Sequence, residues 1–373
     1  MNGAELKELP AAQKLSAEVE LPVGVRVEQL RSASLHPEMK TAAGSSADQL
    51  LDRQALPTLA CTVPAGERIP ESDALRVSFM LPDSGEEYDP SGKRKSSEDS
   101  GSREEEQTGE AAAGRGRKPA QSGRFAKVDI TLEKGSSLTA VMDYRSEEDA
   151  CGLAGVQTKV TLGDGAEMTL VQVVRPGSRY TFLNEAGAVL GKGARLRVIH
   201  LLLSGKHVYS GISALLSGDE SGLSVDVGYQ SAGSSDLDMS YESVHTGKKT
   251  ECAIAAKGIL RDSAKKVFRD LIDFKNGCAG SVGNETEDVM LMDEKVENRS
   301  IPVILCAEED VVGNHGATIG RLDENLLFYM QSRGMKKEEI YEMMAKARLD
   351  AIIRKIPDTR MRCDLLENEG EEE

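Results

Sequence analysis

The chain has 373 residues, enough for two domains or for one elongated domain with appendages. Its 46 basic and 62 acidic residues leave a net charge of −16, which argues against nucleic acid or an anionic membrane surface as a partner. No window approaches the ~18 apolar residues of a membrane span, and Met1 to Leu30 has no signal-peptide layout, so a cytosolic protein is expected.

Six cysteines (Cys61, Cys151, Cys252, Cys278, Cys306 and Cys363) occur without a C-x-x-C pair, which speaks against a zinc ribbon or a thioredoxin-type motif. A cytosolic setting also argues against disulfides. Tryptophan is absent and glycine abundant, so the expected core is Val, Ile, Leu and Met packed around many turns.

In chain order, residues 1–88 mix short helical patterns with segments broken by proline. "SADQLLDRQAL" offers Ser46 as a cap, with Leu50 and Leu51 on one side of a helix. Residues 89–124 form a run of Ser, Gly and charge that cannot bury enough apolar surface to offset its ordering entropy, and are expected to be a disordered linker.

From Phe125 the texture becomes period-2 alternation. "FAKVDITL" sets Ala126, Val128, Ile130 and Leu132 on one face, against Lys127, Asp129 and Thr131. "GLSVDVGYQ" and "LDMSYESVH" repeat the pattern, with turn residues between. "LGDGAEMTLVQVV" from Leu162 and "LGKGARLRVIHLL" from Leu190 are near-copies, and "LEKGSSLTAVMDY" from Leu132 is a weaker third. A turn-then-strand unit recurring at this interval favours a solenoid, with a β-sandwich as the alternative. Cys252, Cys278 and Cys306 recur at a similar interval and could stack on neighbouring coils as small hydrophobes.

From Leu322 the period becomes helical. Asp323 is the expected N-cap and Gly334 the C-cap of a first helix. A second carries Ile340, Met343, Met344, Ala347 and Ala351 at i, i+3, i+4 spacing and ends at Pro357. Such helices could cap an open solenoid end, pack on the solenoid, or offer a ridge to a partner. The final "ENEGEEE" reads as a solvated acidic tail.

His315 is the candidate for chemistry, in a Gly-rich stretch read as a strand-to-helix turn. "GNHGATIGR" is not a Walker A loop, because the glycine spacing is short and no Ser or Thr follows a lysine. As a metal ligand His315 could be joined by Glu308, Glu309 and Asp310, or by Glu285, Glu287 and Cys306 from adjacent coils. The bland reading is a hydrogen-bonded corner histidine. No G-x-S-x-G elbow is present, and nothing pairs a nucleophile with His200, His207, His245 or His315.

"HGATIGRLDENLLFYMQSRG" resembles the C-terminal signature of the SufB/SufD family, scaffold proteins of the SUF iron–sulfur cluster assembly system. His315, Ala317, Thr318, Gly320, Leu322, Asp323, Glu324, Leu327, Phe328, Tyr329, Arg333, Gly334 and Met335 match its pattern. "HTGKKTECAIAAKGIL" resembles the family's strand pair ending in a K-G-I turn, and "EDVMLMDEKVENRSIPVILCAEEDV" a run further on.

The resemblance implies a mainly β protein. Its right-handed parallel β-helix, 125–314, would be flanked by helical N- and C-terminal regions, the latter from 315 to 373. It implies a non-enzymatic scaffold that docks a SufC-type ABC ATPase through Leu326, Leu327, Phe328, Tyr329, Arg333, Ile340, Met343 and Met344. It would pair with a SufB-type subunit or with a second copy of itself. His315 would be an interface residue and possible iron ligand, with Glu287 and Cys306 beside it. No cofactor would be bound permanently, only a transient iron–sulfur cluster between subunits.

The SufB-type cysteine position is occupied by Glu287, the glutamate after the histidine by Gly316, and the SufD-type cysteine two residues before it by Gly313. The chain therefore reads as SufD-like. The competing class is a β-helix enzyme using carboxylates such as Glu308 and Asp310 on a polysaccharide.

Overall fold

The computed structural model describes residues 13–30, 39–42, 56–85, 87–88 and 123–368. The helix expected after Ser46, nearly all of the low-complexity run and the end of the acidic tail lie outside the described residues. The first described strands are β1 (Gln13–Lys14), β2 (Glu18–Glu20) and β3 (Arg26–Leu30).

From β4 (Thr58–Val63) and β5 (Leu75–Met80) onward, successive strands alternate between two sheets. The series continues through β6 (Arg124–Leu132), β7 (Ser137–Arg145), β8 (Cys151–Leu162), β9 (Glu167–Arg175), β10 (Arg179–Leu190) and β11 (Arg195–Leu202). It is completed by β12 (His207–Leu216), β13 (Gly222–Ser231), β14 (Asp236–His245), β15 (Glu251–Leu260), β16 (Lys265–Phe274), β17 (Ser281–Leu291), β18 (Glu297–Cys306) and β19 (Val311–Gly320).

The even-numbered strands from β4 form sheet A and the odd-numbered ones from β5 form sheet B, each strand parallel to its neighbours. The protein is a parallel β-solenoid, and the sandwich alternative falls. The near-copies lie directly on one another: Val63, Leu132, Leu162, Leu190 and Leu216 stack in register along sheet A, all buried. Each coil hides its inner face against the next, so a period-2 sequence suffices for each strand while the repeat supplies the partner. The N-terminal region enters this scheme through β4 and β5, which pair with β6 and β7. β2 and β3 run antiparallel on β5 and β4 and finish that end of the sheets.

The turns stack as the strands do. Gly66, Gly135, Gly165, Gly193, Glu220, Lys249 and Gly280 occupy equivalent left-handed positions, φ between 53° and 78°. Each donates its N–H to a carbonyl of the next coil, from Gly66 to Lys134 O through to Gly280 to Asp310 O. Glycine suits this conformation, so the "DG" and "KG" turns of the near-copies are its direct signature. Carboxylates tie coils together as well: Asp164 accepts from Lys192 N (3.0 Å), Asp219 from Lys248 N (2.9 Å) and Glu308 from Gly277 N (2.9 Å).

Three helices follow: α1 (Glu324–Ser332), α2 (Lys337–Ile353) and α3 (Thr359–Asn368). The carboxylate of Asp323 accepts from Leu326 N (2.9 Å), and Gly334 is left-handed, as the capping pattern predicts. The helices do not close the solenoid end. α2 lies on the outer face of sheet B against β11, β13 and β15, and its Ile340, Ala345, Leu349, Ile352 and Ile353 share one buried apolar cluster with Val141, Val171, Val173, Ile199 and Leu201. The pairwise choice between capping and packing thus resolves as packing along the flank. No described helix is long and apolar enough to cross a membrane.

Candidate functional site

The far end of the solenoid is open. β18 and β19 are the last strands of their sheets, and among the described residues no strand pairs with their free edges. Two rows of unpaired backbone groups therefore face outward beside exposed apolar side chains: Ile301, Val303 and Leu305 on β18, Val312 and Ile319 on β19. The buried residues of β16 (Lys266, Phe268, Asp270, Ile272, Phe274) pair with Asn298, Ser300, Pro302, Ile304 and Cys306. The inward residues of β17 (Gly283, Glu285, Glu287, Val289) pair with Gly313, His315, Ala317 and Ile319. These two rows form the roof of the core, and His315 belongs to it.

His315 thus lies in mid-strand, correcting the Gly-rich turn. Its stretch reads as a turn by composition, but β17 supplies an in-register partner for every residue from Val311 to Gly320. Gly313 suits close packing instead: a Cβ there would lie 3.2 Å from Ile304 and Phe274, which would have to shift to admit it. The "K-G-I turn" is likewise inside a strand, Lys257–Ile259 of β15. Gly258 has its own reason, since the ring of Tyr229 lies across it and would be struck by any Cβ.

Beneath the roof the core carries charge. Lys266 is fully buried and forms an ion pair with Glu287, which also accepts hydrogen bonds from Ser300 Oγ and, at 3.3 Å, from the Tyr229 hydroxyl. Burial pushes the Lys266 amine down, and the Glu287 carboxylate pushes it back up. The Lys266 ammonium also faces the Tyr229 and Phe268 rings at 5.7 and 5.3 Å. Burial and the nearby charge of Glu287 raise Glu285 to about 7. Burial and the charge of Glu285 raise Asp270 to about 8, and its Oδ1 has no hydrogen-bond partner. The inner end of the solenoid therefore holds carboxyls that gain their protons readily, one layer below an exposed imidazole.

The structure brings together only part of the residue set expected from sequence. His315 pairs with Glu285, and Glu287 lies one inward position further along β17, opposite Ala317. Cys306 lies apart, at the end of β18 over Phe274, with its thiol donating to Glu308 O at 3.1 Å. Among the described residues no three His, Cys, Asp or Glu side chains converge as a metal site. The proposed cysteine stack does not form either: Cys252 pairs with Gly283, Cys278 lies in a turn and Cys306 pairs with Phe274. Coil lengths vary, so equal spacing does not mean equal register. Lys266 and Asp270 were missed; their signal was alternation in "KKVFRDLIDF", which sets them on the same face as Phe268 and Ile272.

The helical residues also divide. Phe328 is 73 % exposed, and Leu326, Tyr329 and Met343 are exposed too. Arg333 stacks on Tyr329, its guanidinium carbon 5.2 Å from the ring centre. Leu327 and Met344 pack partly against the flank, and Ile340 is wholly inside it.

A family model described as the SufBD core domain of SUF-system FeS cluster assembly matches residues 115–348, more than half of the chain. The chain belongs to the SufBD family. It is 27 % identical over 237 residues to the iron–sulfur cluster assembly protein SufD of Bacillus subtilis, covering 62 % of this chain and 54 % of that one. Against the chloroplastic SufBD family protein ABCI8 of Arabidopsis thaliana it is 23 % identical over 252 residues, 64 % and 44 % of the two chains. With B. subtilis SufB it shares 24 % over 181 residues, 48 % and 33 %. The chain spans about half the length of the first two relatives.

The SufBD match takes in the whole solenoid from β6, the open coil with His315, α1 and most of α2; α3 lies beyond it.

Proposed function

We propose that the chain is a non-enzymatic, SufD-like scaffold subunit. Its open coil pairs with a SufB-type subunit, and its C-terminal helices dock a SufC-type ABC ATPase. The observation that carries this reading is the double free edge of β18 and β19, apolar at its margins and roofed by His315. A long apolar edge of that kind invites strand addition, and a second chain would cover it.

A partner coil laid on it would continue both sheets and bury His315 above Glu285. The imidazole is then placed to hold iron of a nascent cluster as cargo, with remaining ligands supplied by the partner. Docking of the ATPase falls to the exposed ridge of Leu326, Phe328, Tyr329 and Met343, with Arg333 stacked on Tyr329. Leu327, Ile340 and Met344 hold that ridge to the solenoid from below. Glu308, the carboxylate an enzyme reading would use, is occupied capping Gly277 and Glu309, and those backbone bonds hold its carboxyl below the usual range.

The test is co-purification with SufC-type and SufB-type subunits. Deleting Asp323–Glu373 would bare Val171 and Leu201, so point variants are preferable. F328A/Y329A should lose the ATPase and keep the SufB-type subunit, while V303K/L305K should do the reverse. Self-association in place of the SufB-type partner would convert the reading to a homodimeric scaffold. Retention of neither subunit by the intact chain would sink it.

A further inference from the structure

The three helices form a strap that leaves the open end after β19 and returns along sheet B to the opposite end. Its two far elements are held by different forces. α2 is seated mainly by apolar contact, with Ile340, Leu349, Ile352 and Ile353 buried, and its Glu342 and Arg348 add ion pairs to Arg261 (2.6 Å) and Asp288 (3.4 Å). α3 contributes one fully buried apolar side chain, Leu365, with Met361 and Leu366 partly buried.

Charge does the rest. Asp358, 1 % exposed and immediately before α3, forms an ion pair with Arg76 of β5. Arg360 reaches Glu20 of β2 at 2.8 Å. Asp364 meets Arg175 of β9 at 2.8 Å, and Arg175 also grips Asp143 of β7 at 2.9 and 2.8 Å.

We infer that α3 is an electrostatic latch, which fastens the end of the strap to the first coils and releases without unseating α2. Three separate ion pairs join it to three strands, and its few apolar contacts leave it dependent on them. Salt screens the exposed Arg360–Glu20 pair and, in part, Asp364–Arg175, more than the buried Asp358, whereas the apolar burial that seats α2 is not weakened by it. A released α3 would withdraw two carboxylates from Arg76 and Arg175 and leave α1 and α2 in place. The inference rests on contacts within this chain and stands independently of the docking reading.

Hydrogen exchange on the full chain tests it. Asp358 both pairs with Arg76 and caps the helix, accepting from Met361 N at 2.7 Å. Asparagine caps as well as aspartate, so D358N removes the charge and keeps the cap. In D358N/D364N, amides of residues 361–367 should exchange faster by on the order of tenfold, as expected for loss of two charge-assisted contacts. Amides of residues 345–353 and of β9 to β15 should stay within about twofold of the parent. Raising sodium chloride from about 0.1 to 1 M should move the parent the same way. Unchanged protection of α3 would overturn the latch. So would equal loss across α2 and sheet B, which would make the strap and the solenoid flank one cooperative unit.

Discussion

His315 and Glu285 are in-register neighbours on the inward faces of β19 and β17, the imidazole exposed at the open end and the carboxyl sealed one layer below. The pair divides the site into a surface that a partner can cover and a core that it cannot reach. Substitutions in the two layers should therefore fail in different ways.

H315A removes an exposed side chain for which no hydrogen bond is found, so its unfolding midpoint should match the parent within about 0.5 kcal/mol. Cluster formation by the reconstituted assembly should nevertheless drop sharply. A large loss of stability with normal cluster formation would reduce His315 to a packing residue.

Removal of Glu287 attacks the core layer. E287M strands the Lys266 ammonium without a counter-charge in a fully buried position and should cost about 3–5 kcal/mol. K266M/E287M replaces both charges with apolar volume and should recover much of that loss. Urea unfolding of the two variants decides this. A double variant no more stable than the single one would mean that Ser300 and Tyr229, left without their acceptor, dominate the cost.

Two pairs of buried groups set opposing pH dependences. Burial holds His200 down to about 3, and burial, opposed by Asp273, holds His245 down to about 4. The unfolded chain protonates these rings near pH 6.5 and the folded one does not, so stability is complete above that pH and falls as pH drops. Asp270 and Glu285 are raised to about 8 and 7, so the folded chain keeps protons that the unfolded chain releases near pH 4. They contribute a penalty that grows as pH rises toward 7–8. Between about pH 5 and 6.5 each group is worth at most about 2 kcal/mol, and the two pairs cancel to a shallow profile. D270N/E285Q should expose the acid limb, with stability falling toward pH 5. H200Q/H245Q should show the reverse slope. Parallel profiles for parent and variants would mean that these groups titrate alike in both states.

Lys249 occupies a left-handed turn position, φ 53°, that glycine fills in most other coils. K249G relieves a cost of about 1 kcal/mol there, partly returned as unfolded-state entropy, so a modest gain is expected. Gly165→Ala, at the same position and with open space around it, should lose a similar amount. Denaturant midpoints that move in the opposite directions would show that the stacked turn does not depend on left-handed geometry.

Much of the solenoid was legible because its signals are local. The alternation of "FAKVDITL" and the turn glycines of the near-copies each describe one coil, and stacking copies that description. Three features were not legible for the opposite reason. β4 and β5 look broken by proline in isolation, and become strands because β6 and β7, distant in sequence, offer edges to them. His315 looked like a turn residue because glycine at 313 reads as flexibility, when it answers to Ile304 of β18 and Phe274 of β16. The charged interior was hidden because alternation names a face without saying that Lys266 would pair with Glu287 there while burial and like charge keep protons on Asp270 and Glu285.

The two ends of the solenoid are unlike. At one, the antiparallel β2 and β3 reverse the strand direction, and at the other β18 and β19 keep it and offer it onward. In the language of polymer chemistry the proposed pairing would make the two ends unequal functional groups of one monomer. A subunit with two reactive ends would add head to tail into a fibre, whereas one with a single reactive end is consumed by its first partner. On the proposed pairing, growth through the β18–β19 edge alone would stop at a pair.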